Sequence, residues 1–304
     1  MTILTRHAVR RPARRTAWAG RAMIAPAIIA VCIVAVYPLV FSIVASVSES
    51  SLGRQFAEWV GGANYAAMFA DGVTLPSLGR SVAFALSAAV LALIAGFAVA
   101  LCLDVAVRSG RVIRVLLLLP LMTPPVMAGV IWRLMLAPTG GLFNNLIQMV
   151  APGAEPALFL GSSPAAMISL IVVDAWQWAP FCALLIFAAL QTLPSEVYEA
   201  AQVDGARALQ TFGRITLPLV LPSLLTALLL KVVLSFKVFD LVFVMTSGGP
   251  GFDTTVSSYD IYRTAFQTFD LGTAAAQTIV FLVLVTIVIV PLNAARRRAQ
   301  GGAS

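Results

Sequence analysis

Charged residues are scarce in this chain. Asp, Glu, Lys and Arg together make up 11% of it, against about a quarter in an ordinary soluble domain. With 60% hydrophobic residues and a mean hydropathy of +0.94, so little charge excludes a water-soluble globular chain, because apolar surface of that extent needs lipid around it. Histidine is rarer still, present only as His7. Without paired histidines, an activated cysteine or a Ser–His arrangement, the common hydrolytic and metal-dependent chemistries have no residues to use. Cysteine occurs as Cys32, Cys102 and Cys182, all inside apolar runs and without metal-type spacing. The sequence therefore predicts buried structural thiols, not a disulfide or a metal site. No glycine-rich phosphate loop of the P-loop kind is present, so nucleotide chemistry is not expected on this chain. Nor does any strand-like alternation, tandem repeat or inverted repeat stand out. That leaves a helical bundle as the membrane-compatible architecture.

What the chain does have is six apolar runs, at Ala22–Val47, Val82–Leu103, Val112–Leu136, Pro164–Leu190, Leu217–Met245 and Leu271–Asn293. Each is long enough to cross a bilayer core, which takes about 20 residues of helix. The first is longer than the roughly 7–15 apolar residues of a cleavable signal, and Ser46-Val47-Ser48 imitates a cleavage site only weakly, so it is read as an uncleaved helix. The basic residues alternate between the connections. Arg6, Arg10, Arg11, Arg14, Arg15, Arg21, Arg108, Arg111, Arg114, Arg207, Arg214, Arg296, Arg297 and Arg298 fall on one side, and Arg54, Arg80 and Arg263 on the other, fourteen against three. The positive-inside rule then places both termini and the connection after the fourth run in the cytoplasm. The net charge of +7 reads as membrane-flanking anchors, with lipid and not nucleic acid as the partner. The expectation is an all-α integral membrane protein: a basic arm over 1–20, one six-helix domain over 21–293 and a tail over 294–304.

Within that domain, Trp59, Tyr65 and Phe69 suggest a short interfacial helix in the loop before Arg80. Pro120, Pro124 and Pro125 interrupt the third run, as a packing kink or as a bend lining a pathway. Arg133, near the outer end of the same run, is expected to snorkel. Gly248-Gly249-Pro250-Gly251 predicts a tight turn after the fifth run.

The most polar stretch between spans covers about 194–218. Pro194-Ser195 is a helix start with Ser195 as cap and Glu196 and Glu199 in the first turn. Gly205 permits a sharp bend. A second short helix would follow, with Leu209, Phe212 and Ile215 sharing one side, and Pro218 opens the next span. A helix–glycine–helix element joined to two spans is suited to carrying movement from a partner into a bundle. Its residues Glu199, Ala200, Ala201, Asp204, Gly205, Ala206, Phe212, Ile215, Leu217 and Pro218 match the EAA loop of binding-protein-dependent ABC importer permeases. Leu119-Pro120, Pro124-Pro125, Ile131-Trp132-Arg133, Phe236-Lys237-Val238-Phe239-Asp240 and Thr246-Ser247-Gly248-Gly249-Pro250 resemble the carbohydrate-uptake branch of that family, the maltose- and glycerol-phosphate-type. The resemblance implies a type I importer bundle in a bacterial inner membrane. It also implies a second, similar permease, two cytoplasmic ATPase subunits that carry ATP and Mg, and an extracytoplasmic solute-binding protein. This chain would be a non-catalytic translocation subunit with no cofactor of its own.

Intramembrane polar residues are costly, about 2.5–3.5 kcal/mol for an Asp or Lys at a helix centre on insertion scales, so they mark a cavity or a partner. Asp174, Gln177, Trp178 and Phe181 fall at i, i+3, i+4 and i+7 on one helical face. A carboxylate, an amide and two rings suit a sugar, and a packing stripe with a neutralised Asp174 is the alternative. Lys231 and Ser235 share a face of the fifth run. Positions matching these six form the sugar site that the resemblance implies, with charges here at two of them. Lys231 would balance Asp174 or receive an anionic group. Lys237 and Asp240, at i and i+3, are expected to pair with each other, and Trp176, off the stripe, to pack. The competing class is an autonomous secondary transporter or channel that uses Asp174 and Asp240.

Overall fold

The computed structural model describes residues 14–105 and 118–301. The chain begins with helix α1 (Arg14–Ser46), followed by a two-stranded antiparallel hairpin of β1 (Ser48–Glu49) and β2 (Glu58–Trp59). Helices α2 (Ala63–Ala70) and α3 (Thr74–Val105) come next, then α4 (Pro125–Met135), α5 (Leu142–Val150) and α6 (Ser163–Leu190). Two short helices, α7 (Ser195–Val203) and α8 (Ala208–Thr211), lead through a π-helical turn at Phe212–Thr216 into α9 (Leu217–Phe236). Finally come α10 (Asp240–Met245), α11 (Ser257–Tyr262) with a second π turn at Arg263–Gln267, and α12 (Leu271–Gly301).

Among the described residues, five helices are long and apolar enough to cross a membrane, within Met23–Ser46, Thr74–Leu103, Ser163–Leu190, Ala208–Phe236 and Leu271–Arg298. The third predicted run differs. Its residues 112–117, like Arg108, Arg111, Arg114 and most of the basic arm, lie outside the described residues. The rest is broken at Thr123-Pro124, with Pro125 opening α4. The fifth run differs too. It was expected to continue to Met245 but stops at Phe236 and resumes at Asp240. Hydropathy counts apolar residues and cannot register a backbone break. Here the break is stabilised from elsewhere: the Ser258 hydroxyl donates to the freed Val238 carbonyl, and the Phe239 ring packs with Phe243 and Tyr262 at 5.5 and 5.1 Å.

The core lies where α3 and α6 run side by side in the same direction, with Phe84 and Ala88 level with Leu170 and Val173, and Ala92 and Ala100 level with Cys182 and Ile186. Small residues let the two backbones approach, the usual solution where lipid supplies no hydrophobic drive between helices. At Gly96 a Cβ would stand 2.6 Å from Cys182 Cβ and 2.7 Å from the Ala179 carbonyl. Helix α9 packs on α3, α6 and α12, while α1 rests chiefly on α12 with its apolar surface turned outward. Cys182 is buried as expected, whereas Cys32 and Cys102 are exposed on their helices, so only one of the three thiols belongs to the core.

A polar knot closes the hairpin end. The buried Asp260 accepts from Thr74 Oγ1 (3.0 Å), Gln277 Nε2 (3.3 Å) and Arg263 Nη2 (2.8 Å), tying α3, α11 and α12 together. Asp71 caps α3 by accepting from the Val73 and Thr74 N–H groups. A short helix, α2, occupies the loop before Arg80 and carries Tyr65 and Phe69, while Trp59 lies in β2. The turn at Gly248–Gly251 is also present, with Gly248 and Gly251 at φ +81° and +60°.

Candidate functional site

Both helix breaks border one cavity of about 220 Å³, lined by Pro125, by Asp174, Gln177 and Trp178 of α6, and by the 237–241 segment with Lys237 and Asp240. Non-helical backbone at membrane depth is tolerated where it lines a cavity and its polar groups find partners. The Thr123 carbonyl, released by Pro124-Pro125, accepts from Gln177 Nε2 at 2.9 Å. One side chain of the polar stripe therefore holds the broken third segment against α6.

Lys231 is fully buried and donates to Asp174 Oδ2 at 2.6 Å and to Ser235 Oγ at 2.8 Å, with Nζ 5.3 Å from the Trp178 ring centre. An attraction of this kind offsets desolvation only when the geometry is close and the remaining protons find partners; here the contact is close, and two of the three ammonium protons are hydrogen-bonded with the Trp178 ring beside them. Trp178 meets Phe181 edge-on at 5.8 Å. Phe181 supports the Trp178 ring and is not among the residues that line the cavity. Of the six predicted pathway residues, the structure brings Asp174, Gln177 and Trp178 to the cavity wall and sets Lys231 and Ser235 behind them.

One expectation needs correction. Lys237 and Asp240 form no ion pair with each other; the three ion pairs among the described residues are Arg80–Asp253, Lys231–Asp174 and Arg263–Asp260. The chain turns out of the helix at Lys237, so the i, i+3 spacing no longer places the two on one face. Arg133 is exposed and also makes a fixed contact. Its Nη1 donates to the Val244 carbonyl at 3.0 Å and fastens α4 to α10. Trp176 packs edge-on against Trp132 at 5.5 Å, in keeping with its place off the stripe. Sequence reasoning missed the Thr123 carbonyl and the Asp260 knot; an acid within a mostly apolar C-terminal region was the available signal for the second.

At the opposite end, the Glu-Ala-Ala-x-x-Asp-Gly-Ala spacing has a backbone cause. Gly205 sits at φ +70°, its N–H donates to the Gln202 carbonyl at 3.1 Å, and the Ala206 N–H donates to the Ala201 carbonyl at 2.9 Å. This pair of bonds is the Schellman closure of α7, which needs glycine at the left-handed position and favours an apolar contact between the residues at Ala201 and Ala206. Asp204 is the C-cap. Ser195 is the first helical residue and not the cap; Pro194 occupies the cap position, without a side-chain bond. Gln210 Oε1 accepts from the Arg207 N–H at 2.9 Å and starts α8.

This element is tied to the bundle at two points. Tyr198 and Thr216 share a hydroxyl–hydroxyl bond of 3.2 Å, and Phe212 meets Phe97 of α3 at 5.7 Å. Ala201 and Thr216 face inward, Ile215 and Phe212 are half-buried, and Glu199, Ala200 and Asp204 are exposed. Val203 and Leu209 are 88% and 81% exposed, which leaves two large apolar side chains in the open. Leu209 therefore does not share an inward face with Phe212 and Ile215, because the π turn rotates them apart.

The profile of the family described as "Binding-protein-dependent transport system inner membrane component" matches residues 92–300, more than half of the chain. The chain belongs to that family. As an inner membrane component with several apolar helices, the permease is a multi-pass membrane protein, and its family comprises transport subunits, not enzymes. It is 31% identical over 288 residues to the trehalose/maltose transport system permease protein MalF of Thermococcus litoralis, covering 93% of this chain and 96% of that one. It is 30% identical over 281 residues to the sn-glycerol-3-phosphate transport system permease protein UgpA of Salmonella choleraesuis, covering 92% and 94%. A crystal structure of a bacterial ABC transporter involved in the import of the acidic polysaccharide alginate superposes with a TM-score of 0.80 at 22% identity, covering 93% of this permease and 96% of that chain. The fold is thus that of a type I ABC importer permease.

Proposed function

We propose that this permease passes a sugar or sugar-like solute from an extracytoplasmic binding protein across the membrane, driven by ATPase subunits that press on the α7–α8 element. The observation that carries the proposal is that element: a closed helix–glycine–helix turn, tied to α3 through Phe212–Phe97 and to the π turn before α9 through Tyr198–Thr216, with Val203 and Leu209 exposed on it. Val203 and Leu209, exposed on the element beside the exposed Glu199, Asp204 and Arg207, are read as part of its contact with the ATPase. The cavity at the α4 and α9 breaks is the proposed passage, with Asp174, Gln177 and Trp178 on its wall. Relatives named for trehalose/maltose and for glycerol phosphate support a carbohydrate-type solute.

The same reading assigns six spans, the third being the sequence-based Val112–Leu136, and puts both termini and the α7–α8 element in the cytoplasm, which the distribution of arginines supports. The partners are a second permease, two ATPase subunits that hold ATP and Mg, and the binding protein. Purification of the tagged chain from its native membrane tests the proposal. The expected result is an ATPase chain and a second permease in the same complex. Recovery of this chain alone, still able to transport, would establish the secondary-transporter alternative.

A further inference from the structure

Two pairs of opposite charges lie at the cavity, and they differ in kind. Lys231 has no exposed surface, and two of its three ammonium protons go to Asp174 and Ser235 with the Trp178 ring alongside. It stands behind the wall and is not among the residues that line the cavity. Lys237 and Asp240 line the cavity directly. Among the described residues neither side chain makes a hydrogen bond or an ion pair. Lys237 is exposed and Asp240 half-buried. Along α9, Lys237 lies six residues beyond Lys231, roughly 9 Å further toward the hairpin end at 1.5 Å per residue. A solute entering from that end meets this second pair first.

Charged groups in a membrane domain are ordinarily paired or turned to a cavity. Here one pair is closed on itself and the other is open, with a strong donor on one side of a backbone break and a strong acceptor on the other. The four charges sum to zero. We propose that Lys237 and Asp240 are the specificity-determining pair of this permease and that they read adjacent hydroxyls of an uncharged sugar. One hydroxyl donates to the Asp240 carboxylate, its neighbour accepts from the Lys237 ammonium, and the Trp178 ring covers an apolar sugar face. An anionic solute is disfavoured, because two carboxylates, Asp174 and Asp240, face the cavity against the single ammonium of Lys237, while Lys231 stands behind the wall bound to Asp174. The inference rests on the importer reading above and goes beyond it by naming the solute class and the residues that select it.

The test uses the complete complex in proteoliposomes, loaded with its binding protein. The probes are glucose, maltose and trehalose as uncharged sugars and glycerol 3-phosphate as the anion. Wild type should take up at least one uncharged probe with ATP. Lys237→Met and Asp240→Asn should assemble with the usual partners and lose uptake of that probe by roughly ten- to a hundredfold, the worth of a hydrogen bond to a charged group. Lys237→Arg, which keeps a cationic donor, should restore most of it.

Several outcomes would overturn the inference alone. They are unchanged uptake in Lys237→Met and Asp240→Asn, loss of the partner permease from those variants (which would make the pair an interface contact), and wild-type uptake of glycerol 3-phosphate only. Absence of an associated ATPase chain from the purified wild-type complex would defeat the importer reading as well.

Discussion

The α7–α8 element and the Asp174–Lys231 pair use polar residues in opposite ways. In the first, Glu199, Asp204 and Arg207 stand in the open, and the residues whose identity the structure constrains are small: Ala201, Gly205 and Ala206, fixed by the Schellman closure. In the second, the charges themselves are constrained, because each is buried and answers the other at 2.6 Å. A surface element of this sort carries its function in backbone shape and exposed side chains, so damage to it should leave the fold standing. A buried pair carries stability and function together, and damage to it should show in both.

The sharpest way to break that contrast is to remove one member of the buried pair. Lys231→Met leaves Asp174 without its partner and should destabilise the protein by about 3–5 kcal/mol, read as a lowered melting temperature of the purified complex. Asp174→Asn combined with Lys231→Met should recover most of the loss. Equal melting of the single and double variants would mean that the pair is not a unit.

The next largest effect concerns packing and involves no charge. Gly96→Val forces a branched side chain between α3 and α6 where even a Cβ stands 2.6 Å from Cys182. Overpacking of this kind costs about 1–3 kcal/mol, again visible in thermal melting. Gly205→Ala is milder in the fold. The site is open, with no atom within 4 Å of an added Cβ, so the only cost is the left-handed backbone at φ +70°, roughly 1–2 kcal/mol. Uptake should fall by more than that stability change explains, as transport assays on correctly assembled complex would reveal. Smallest of all, Leu209→Ser at an 81% exposed position should move stability by no more than about 0.5 kcal/mol. It should nonetheless weaken retention of the ATPase subunit during purification. Unaltered retention would remove Leu209 from the contact.

The sequence made one of these regions more legible than the other. The α7–α8 element was readable nearly residue by residue, since glycine at a left-handed cap and proline at a helix start are local requirements that leave local marks. Only its register slipped, with Pro194 and not Ser195 as the cap and the π turn at Phe212–Thr216 rotating Leu209 outward. The stripe at Asp174, Gln177 and Trp178 was equally readable from helical spacing. What the sequence could not give was the break after Phe236. It depends on Ser258 and Tyr262, about twenty residues further on, and it separates Lys237 from Asp240 against the simple i, i+3 expectation. The partner of Gln177 was out of reach for the same reason: it is a backbone carbonyl 54 residues away. Local chemistry is written in local sequence, while the cavity arises from contacts between distant segments.

The central claim is that the α7–α8 element couples an ATPase to this bundle, and ATPase activity of the lipid-reconstituted complex tests it most directly. Wild type and Gly205→Pro would be compared with and without binding protein loaded with sugar. Proline cannot adopt φ +70° and has no N–H for the Gln202 carbonyl, so the closure of α7 is lost. The account predicts stimulation by loaded binding protein in wild type and none in the variant, with the complex still assembled. Equal stimulation in the two, or a preparation with no associated ATPase, would contradict it.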